Sequence, residues 1–217
     1  MTKIWITRTR PAADESAEVW RKAGFDPLVE PLLGIDAVDH DTLPSETVVI
    51  FTSKNGVDHV SSASQRAICV GDATAVHARK AGFSDVVSVN GTSKDITHWV
   101  LANCPVSQPV CHVSGWHVRG SISEDLSRAG YDAKRVKVYR SIPRPVWPKT
   151  KASLVALYSP LAAQVFARLC RGASLSSLSA ICISQATAKA LEGLDLKSIH
   201  IANRPREDEL IMAAKSV

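Results

Sequence analysis

The chain has 217 residues, of which 45% are apolar and 22% charged, and its formal net charge is +5 at pH 7. That composition is that of an ordinary folded protein, which excludes a disordered chain, and the length holds either one large domain or two of about a hundred residues each. No apolar run approaches membrane-spanning length, and Ile4-Trp5-Ile6 passes straight into Thr7-Arg8-Thr9-Arg10, too short for a signal-peptide core, so the expectation is a cytoplasmic protein with no membrane association.

Lys3 to Thr7 reads as a strand, Arg8 to Pro11 as a turn with proline at a helix start, and Ala12 to Ala23 as an amphipathic helix closed by Gly24. Phe25 to Leu33 follows as a second extended segment. Val48 to Phe51 is an apolar run that ends in Thr52-Ser53 before a helix begins. Ala67 to Ala75 reads as a strand, a tight turn at Gly71, and an Ala-rich helix with Asp72 placed to cap it and Thr74 in its first turn. Asn103 to Pro109 is a loop, and the Asn90 to Lys94 stretch carries no clear signal.

The chain then repeats itself. Ala129-Gly-Tyr-Asp132 echoes Ala23-Gly-Phe-Asp26 at a spacing of 106, with Val110 to Val113 matching the first strand and Ser114 to Arg119 the arginine turn. Leu154 to Pro160 echoes Val48 to Lys54 at the same spacing, Ser159-Pro160 being an N-cap followed by proline at the first helical position. Ala180-Ile-Cys-Ile-Ser-Gln-Ala-Thr-Ala188 echoes Ala67 to Ala75 at a spacing of 113, with Ser184 as cap and Thr187 in the first turn, so seven extra residues are expected around Arg171 to Ser177. Pro31 to Pro44 and Ile142 to Pro148 read as the connections between bodies.

Strands alternating with helices at short intervals call for parallel sheets covered on both faces, an α/β class of doubly wound domains. Ligands bind such sheets at the carboxyl ends of the strands. Here those ends carry Thr7-Arg8, Thr52-Ser53, Gly71 with Thr74, Ser114-Gly115, Tyr158-Ser159, and Ser184 with Thr187. Hydroxyls and free N–H groups at helix starts favour anions, so an acidic small molecule fits both these ends and the net charge. Taken singly, each Ser or Thr is accounted for as a plain helix cap. The charges are scattered, without a basic helix or aromatic interleaving, which argues against nucleic acid. Five cysteines with no Cys-x-x-Cys pair read as reduced packing residues, and Cys111-His112 with His117 is short of a metal-ligand set. No hydrolase, nucleotide or zinc-protease motif is present.

In order along the chain, Ile6-Thr-Arg8, Pro31-Leu32, Phe51-Thr-Ser-Lys-Asn-Gly-Val57, Val70-Gly-Asp-Ala-Thr-Ala75, Gly115 with Arg119, Val138-Tyr139, Ser159-Pro160, Ile183-Ser-Gln-Ala-Thr-Ala188 and Pro205 with Leu210 resemble the uroporphyrinogen-III synthase family over nearly the full length. The resemblance implies two similar doubly wound parallel-sheet domains joined by a two-stranded linker with a cleft between them. It implies residues 1–34 plus 141–217 in one domain and 35–140 in the other. The implied substrate is hydroxymethylbilane, a linear tetrapyrrole with eight carboxylates, which loses water and closes with inversion of its last ring through a spiro intermediate, in a monomer without cofactor or metal. The resemblance makes Tyr139 the candidate proton donor, and Thr52, Ser53, Gly71, Thr74, Gly115, Ser159, Ser184 and Thr187 candidates for substrate binding, with Arg8 and Arg119 adding charge at the rim. Ser184-Gln185 departs from the proline-bearing turn of many members. The plainer readings are a Tyr139 that packs against the linker and arginines that are merely exposed. A different class also fits the composition: a two-lobed, non-catalytic sensor of a small anion.

Overall fold

The computed structural model describes residues 1–60, 64–117 and 120–217. The first elements are β1 (Thr2–Ile6), α1 (Ala12–Lys22), β2 (Phe25–Val29) and β3 (Leu33–Ala37). Next come β4 (Val48–Phe51), α2 (Lys54–Val57), β5 (Ala67–Cys69), α3 (Asp72–Lys80), β6 (Val86–Ser88) and α4 (Ser93–Asn103). The second half supplies β7 (Val110–Gly115), α5 (Ile122–Arg128), β8 (Ala133–Pro143), β9 (Leu154–Leu157) and α6 (Pro160–Leu169). It ends with β10 (Leu175–Cys182), α7 (Gln185–Lys189), β11 (Leu196–Ile201) and α8 (Glu207–Lys215). None of the described helices is long and apolar enough to cross a membrane.

These elements form two compact units, residues 1–34 with 142–217 and residues 35–141. The first carries a sheet in the order β11-β10-β9-β1-β2, the second a sheet in the order β6-β5-β4-β7-β8-β3. Apart from β3 the two orders correspond strand for strand, and the pairings β1 with β2 and β9, and β4 with β5 and β7, are all parallel. The correspondence has a particular connectivity. In each repeat the opening β-α-β hands its strands to the sheet built by the closing half of the other repeat: β1 pairs with β9 and carries β2 outside it, while β7 pairs with β4 and carries β8. Gly24 and Gly130 end α1 and α5 equivalently, at φ of +96° and +93°, a backbone region open to glycine and costly for residues with a Cβ.

Alternation along the strands sends side chains to both faces. In the first unit Trp5, Val155, Leu157 and Cys182 pack with Phe166 of α6, whereas Ile4, Ile6, Ala156 and Ile181 pack with Trp20 of α1 and Leu210 of α8. In the second unit Val49, Phe51 and Val113 meet Val57 and Ala75, while Val48, Ile50 and Ile68 meet Ile96 of α4 and Leu126 of α5. Each fully enclosed large apolar side chain contributes on the order of 1.5–3 kcal/mol by leaving water. All five cysteines are buried and unpaired.

Some expectations are revised. The extended segment 25–33 is broken after Val29, because Pro31 has no N–H to give a ladder; Glu30 and Leu32 still bond Ile6 O and Thr7 O, at 3.2 and 3.0 Å. The two connecting stretches are partly strand, since β3 and β8 run through them and pair. The flanking bonds from Arg144 N–H to Leu32 O (2.8 Å) and from Val38 N–H to Val138 O (2.9 Å) progress in opposite senses, so this ribbon is antiparallel. The extra residues of the second half do not form only a loop: β10 starts at Leu175 and shifts register before Ser179. Asp72 does not cap α3. Gly71 holds the N-cap position in extended geometry and Asp72 is the first helical residue. The unassigned Asn90 to Lys94 stretch contains the start of α4, where Thr92 N–H and its hydroxyl both donate to Asp95 Oδ2, at 2.6 and 2.7 Å.

Candidate active site

Apart from β3 the sheets are parallel, so the carboxyl ends of their strands fall along one edge of each unit, and helices follow β1, β4, β5, β7, β9 and β10 there. In the second unit this edge brings together Thr52, Ser53, Gly71, Thr74, Gly115 and Tyr139. Ser53 caps α2 from extended backbone, its Oγ accepting from Asn55 N–H at 3.3 Å. A capping hydroxyl spends a lone pair on the helix and keeps its own O–H to give elsewhere. Thr74 is 6% exposed, on the third residue of α3. Among the described residues nothing lies within 4 Å of where a Gly71 Cβ would stand.

Gly115 and Tyr139 are paired across β7 and β8, and the phenol ring lies over the glycine. A Cβ on Gly115 would stand 2.6 Å from Tyr139 Cε2 and 2.7 Å from Cζ, so any side chain there displaces the ring. Arg135 fixes the backbone beneath it, donating to Ser114 Oγ (2.8 Å), Gly115 O (2.7 Å) and Trp116 O (2.9 Å). Trp116 N–H in turn donates to Tyr139 O at 2.8 Å. The His59 ring stands 6.0 Å from the half-buried Tyr139 ring, tilted by 30°. Arg119 lies outside the described residues.

The sequence reading missed His112, which it weighed only as a metal ligand. It is buried on β7, and its Nε2 is 3.3 Å from Thr52 Oγ1. Burial, helped by the Arg135 charge and opposed by Glu124, pulls its pKa down to about 4, so the ring is neutral at pH 7. The available signal was a histidine at a position that strand alternation assigns to the covered face. Among the described residues no three His, Cys, Asp or Glu side chains gather as a metal-ligand group.

In the first unit the edge holds Arg8, Ser159, Ser184 and Thr187. Ser159 caps α6 with φ and ψ of −159° and 155°, against −157° and 147° at Ser53, and accepts from Ala162 N–H at 3.2 Å. Ser184 caps α7, while Thr187 is fully enclosed with its hydroxyl 3.0 Å from Ser184 Oγ. Arg8 lies half-buried beside Tyr158. Its guanidinium donates to Ser16 Oγ at 3.0 Å and its carbon stands 4.8 Å from the Tyr158 ring centre.

The edges are electrostatically uneven. The first turns of α1, α3, α4, α5 and α8 carry their own acidic residues, but those of α2, α6 and α7 carry none. The starts of those three helices therefore have no acidic side chain of their own. Fold and edges together define an α/β protein of two duplicated parallel sheets, with capped helix starts at the carboxyl ends of their strands.

A family model described as uroporphyrinogen-III synthase HemD matches residues 14–212. No curated protein matches. Among solved structures, the uroporphyrinogen-III synthetase of Helicobacter pylori is 19% identical at a TM-score of 0.67, covering 99% of this chain and 98% of that one, which shows a shared fold. A mutant uroporphyrinogen III synthase of Thermus thermophilus is 16% identical at a TM-score of 0.48, covering 100% and 98%. With most of its length matched by the family model, the chain belongs to the uroporphyrinogen-III synthase family, the cyclising lyases of tetrapyrrole biosynthesis.

Proposed function

We propose that the chain closes hydroxymethylbilane to the type III macrocycle, with hydroxyls and helix starts at the carboxyl ends of its strands binding carboxylates and Tyr139 assisting departure of the hydroxyl. The observation that carries the binding half is the set of acid-free helix starts at α2, α6 and α7, two of them capped by serines with a donor to spare. Ser53, Ser159, Ser184, the Gly71 backbone and Arg8 are the contacts in this reading, with Thr52 beside Ser53. The enclosed Thr187 and Thr74 act by supporting the helix starts. Arg119 adds charge at the rim.

The chemistry asks little of the protein beyond position. The open chain cyclises unaided without inversion, so the task is to hold the ring ends in the geometry that leads to the spiro intermediate. One proton must reach the leaving hydroxyl so that it departs as water, and a phenol supplies one without carrying a charge. In the spiro intermediate the last ring's old bond to its neighbour's methylene breaks, its free α-carbon attacks that methylene, and the proton this carbon loses as the ring regains aromaticity replaces the one donated. The reaction changes no oxidation state, so it needs no redox cofactor, and the enzyme works as a cytoplasmic monomer without nucleic acid.

Tyr139→Phe tests the donor. Hydroxyl departure is slow but not impossible without it, so kcat is expected to fall about a hundredfold, at the low end for a general acid, with type III product still formed. Complete loss of type III product from a folded variant contradicts a catalysis that rests mainly on positioning.

A further inference from the structure

We propose that Tyr158 is a positioning residue: it holds Glu207 away from Arg8, so that the Arg8 guanidinium stays open to a substrate carboxylate. The inference rests on the reading of Arg8 as a substrate contact. Tyr158 is the last residue before the Ser159 cap, Arg8 follows β1, and Glu207 opens α8, so three separate segments of the first unit meet here.

The geometry shows how the hold works. Tyr158 Oη donates to Glu207 Oε1 at 2.8 Å and accepts from Trp20 Nε1–H at 2.8 Å, which fixes the hydroxyl from both sides. Burial, with the Glu207 charge beside it, pushes the phenol pKa upward, so the donor stays protonated at every working pH. The other carboxylate oxygen, Glu207 Oε2, is left 3.8 Å from Arg8 Nη1. A direct guanidinium–carboxylate pair closes to about 2.7–2.9 Å, usually through two parallel bonds, so this is a long ion pair, about 1 Å wider than a hydrogen-bonded one. Arg8 meanwhile lies against the Tyr158 ring and gives one bond, to Ser16 Oγ. A guanidinium has five N–H donors, which leaves a fork for a carboxylate of the ligand.

The fold itself does not require the arrangement. At the spacing of 106 that relates the repeats, Thr52 stands where Tyr158 does, Ser114 where Arg8 does and Leu126 where Trp20 does. The second unit therefore builds the same strand order without counterparts of Tyr158, Arg8 or Trp20.

Steady-state kinetics on hydroxymethylbilane tests this with Arg8→Gln, Tyr158→Phe and Tyr158→Phe combined with Glu207→Gln. Phenylalanine keeps the ring under Arg8 but frees Glu207 to close on the guanidinium and compete with substrate. KM is expected to rise about threefold to tenfold, the scale of a partly exposed ion pair, with kcat within about twofold. Adding Glu207→Gln removes the competitor and returns KM toward that of the parent, which a loss of packing would not do. An unchanged KM in Tyr158→Phe, or a raised KM that Glu207→Gln fails to restore, overturns the proposal. If Arg8→Gln itself leaves KM unchanged, the reading of Arg8 as a carboxylate contact fails first. If Arg8→Gln raises KM and Tyr158→Phe does not, only the positioning role falls.

Discussion

His112 occupies the register position of Ile6, 106 residues earlier, and is as enclosed as an aliphatic residue would be. Its contact with Thr52 Oγ1 ties a hydroxyl of the candidate site to a group that burial, helped by the Arg135 charge, keeps neutral well below pH 6.5. That neutrality has a consequence for stability. The folded pKa, about 4, lies below the ordinary value of 6.5, so the stabilising contribution is complete above pH 6.5 and is lost as pH falls from there toward 4. Two to three pKa units correspond to on the order of 3 kcal/mol. Urea midpoints measured from pH 7 to pH 4 are expected to fall steeply in the parent and less steeply in His112→Gln. Parallel slopes would contradict the assignment. The lowered carboxyl groups of Asp26, Asp95 and Asp208 act at lower pH, below their ordinary value of 3.8. At this scale Tyr139 and Gly115 were singled out by family resemblance, but that one lies on the other is a matter of tertiary packing, and so is the Arg135 clamp. Neither leaves a mark in the local sequence.

Helix starts were the most legible elements. Ser53 and Ser159 cap α2 and α6 as their hydroxyl, helix-start and proline pattern predicts, because capping is decided within three or four residues. Asp72 misled for a local reason: aspartate is a good cap, but glycine adopts the extended cap position equally well and Asp72 is then free to enter the helix. The same locality explains Thr92, whose partner Asp95 is a shorter acid than the glutamate that usually closes a capping box. The lengthened β10 was not legible, since a register shift is set by the neighbouring strand. Ser53→Ala and Ser159→Ala should each cost about 1 kcal/mol of stability through the lost cap. Each should also raise KM, because the same hydroxyl has a donor left for substrate. Chemical denaturation and initial rates on the same variants check both; a stability loss with KM unchanged would reduce these serines to caps.

At the scale of the molecule the repeats announce the duplication in sequence, through the spacing of 106 and the paired motifs at Cys69 and Cys182. What composition left open was which half joins which sheet. Pairing partners are chosen by contacts made after the chain has crossed from one unit to the other, and no local propensity records them. The outcome is that each sheet combines strands from both repeats. Both units end in the same kind of edge, but only the first carries the Arg8, Tyr158 and Glu207 cluster, and only the second carries His112 with Thr52 and Tyr139 with Gly115. The duplicated edges have thus been given different chemistry on one scaffold.

Incubating the purified protein with freshly generated hydroxymethylbilane, and separating the oxidised type III and type I macrocycles, tests the central claim most directly. Type III product in excess over the spontaneous type I background is the expected result. Type I product alone, from protein shown to be folded, would contradict the account and leave a binding protein with no turnover.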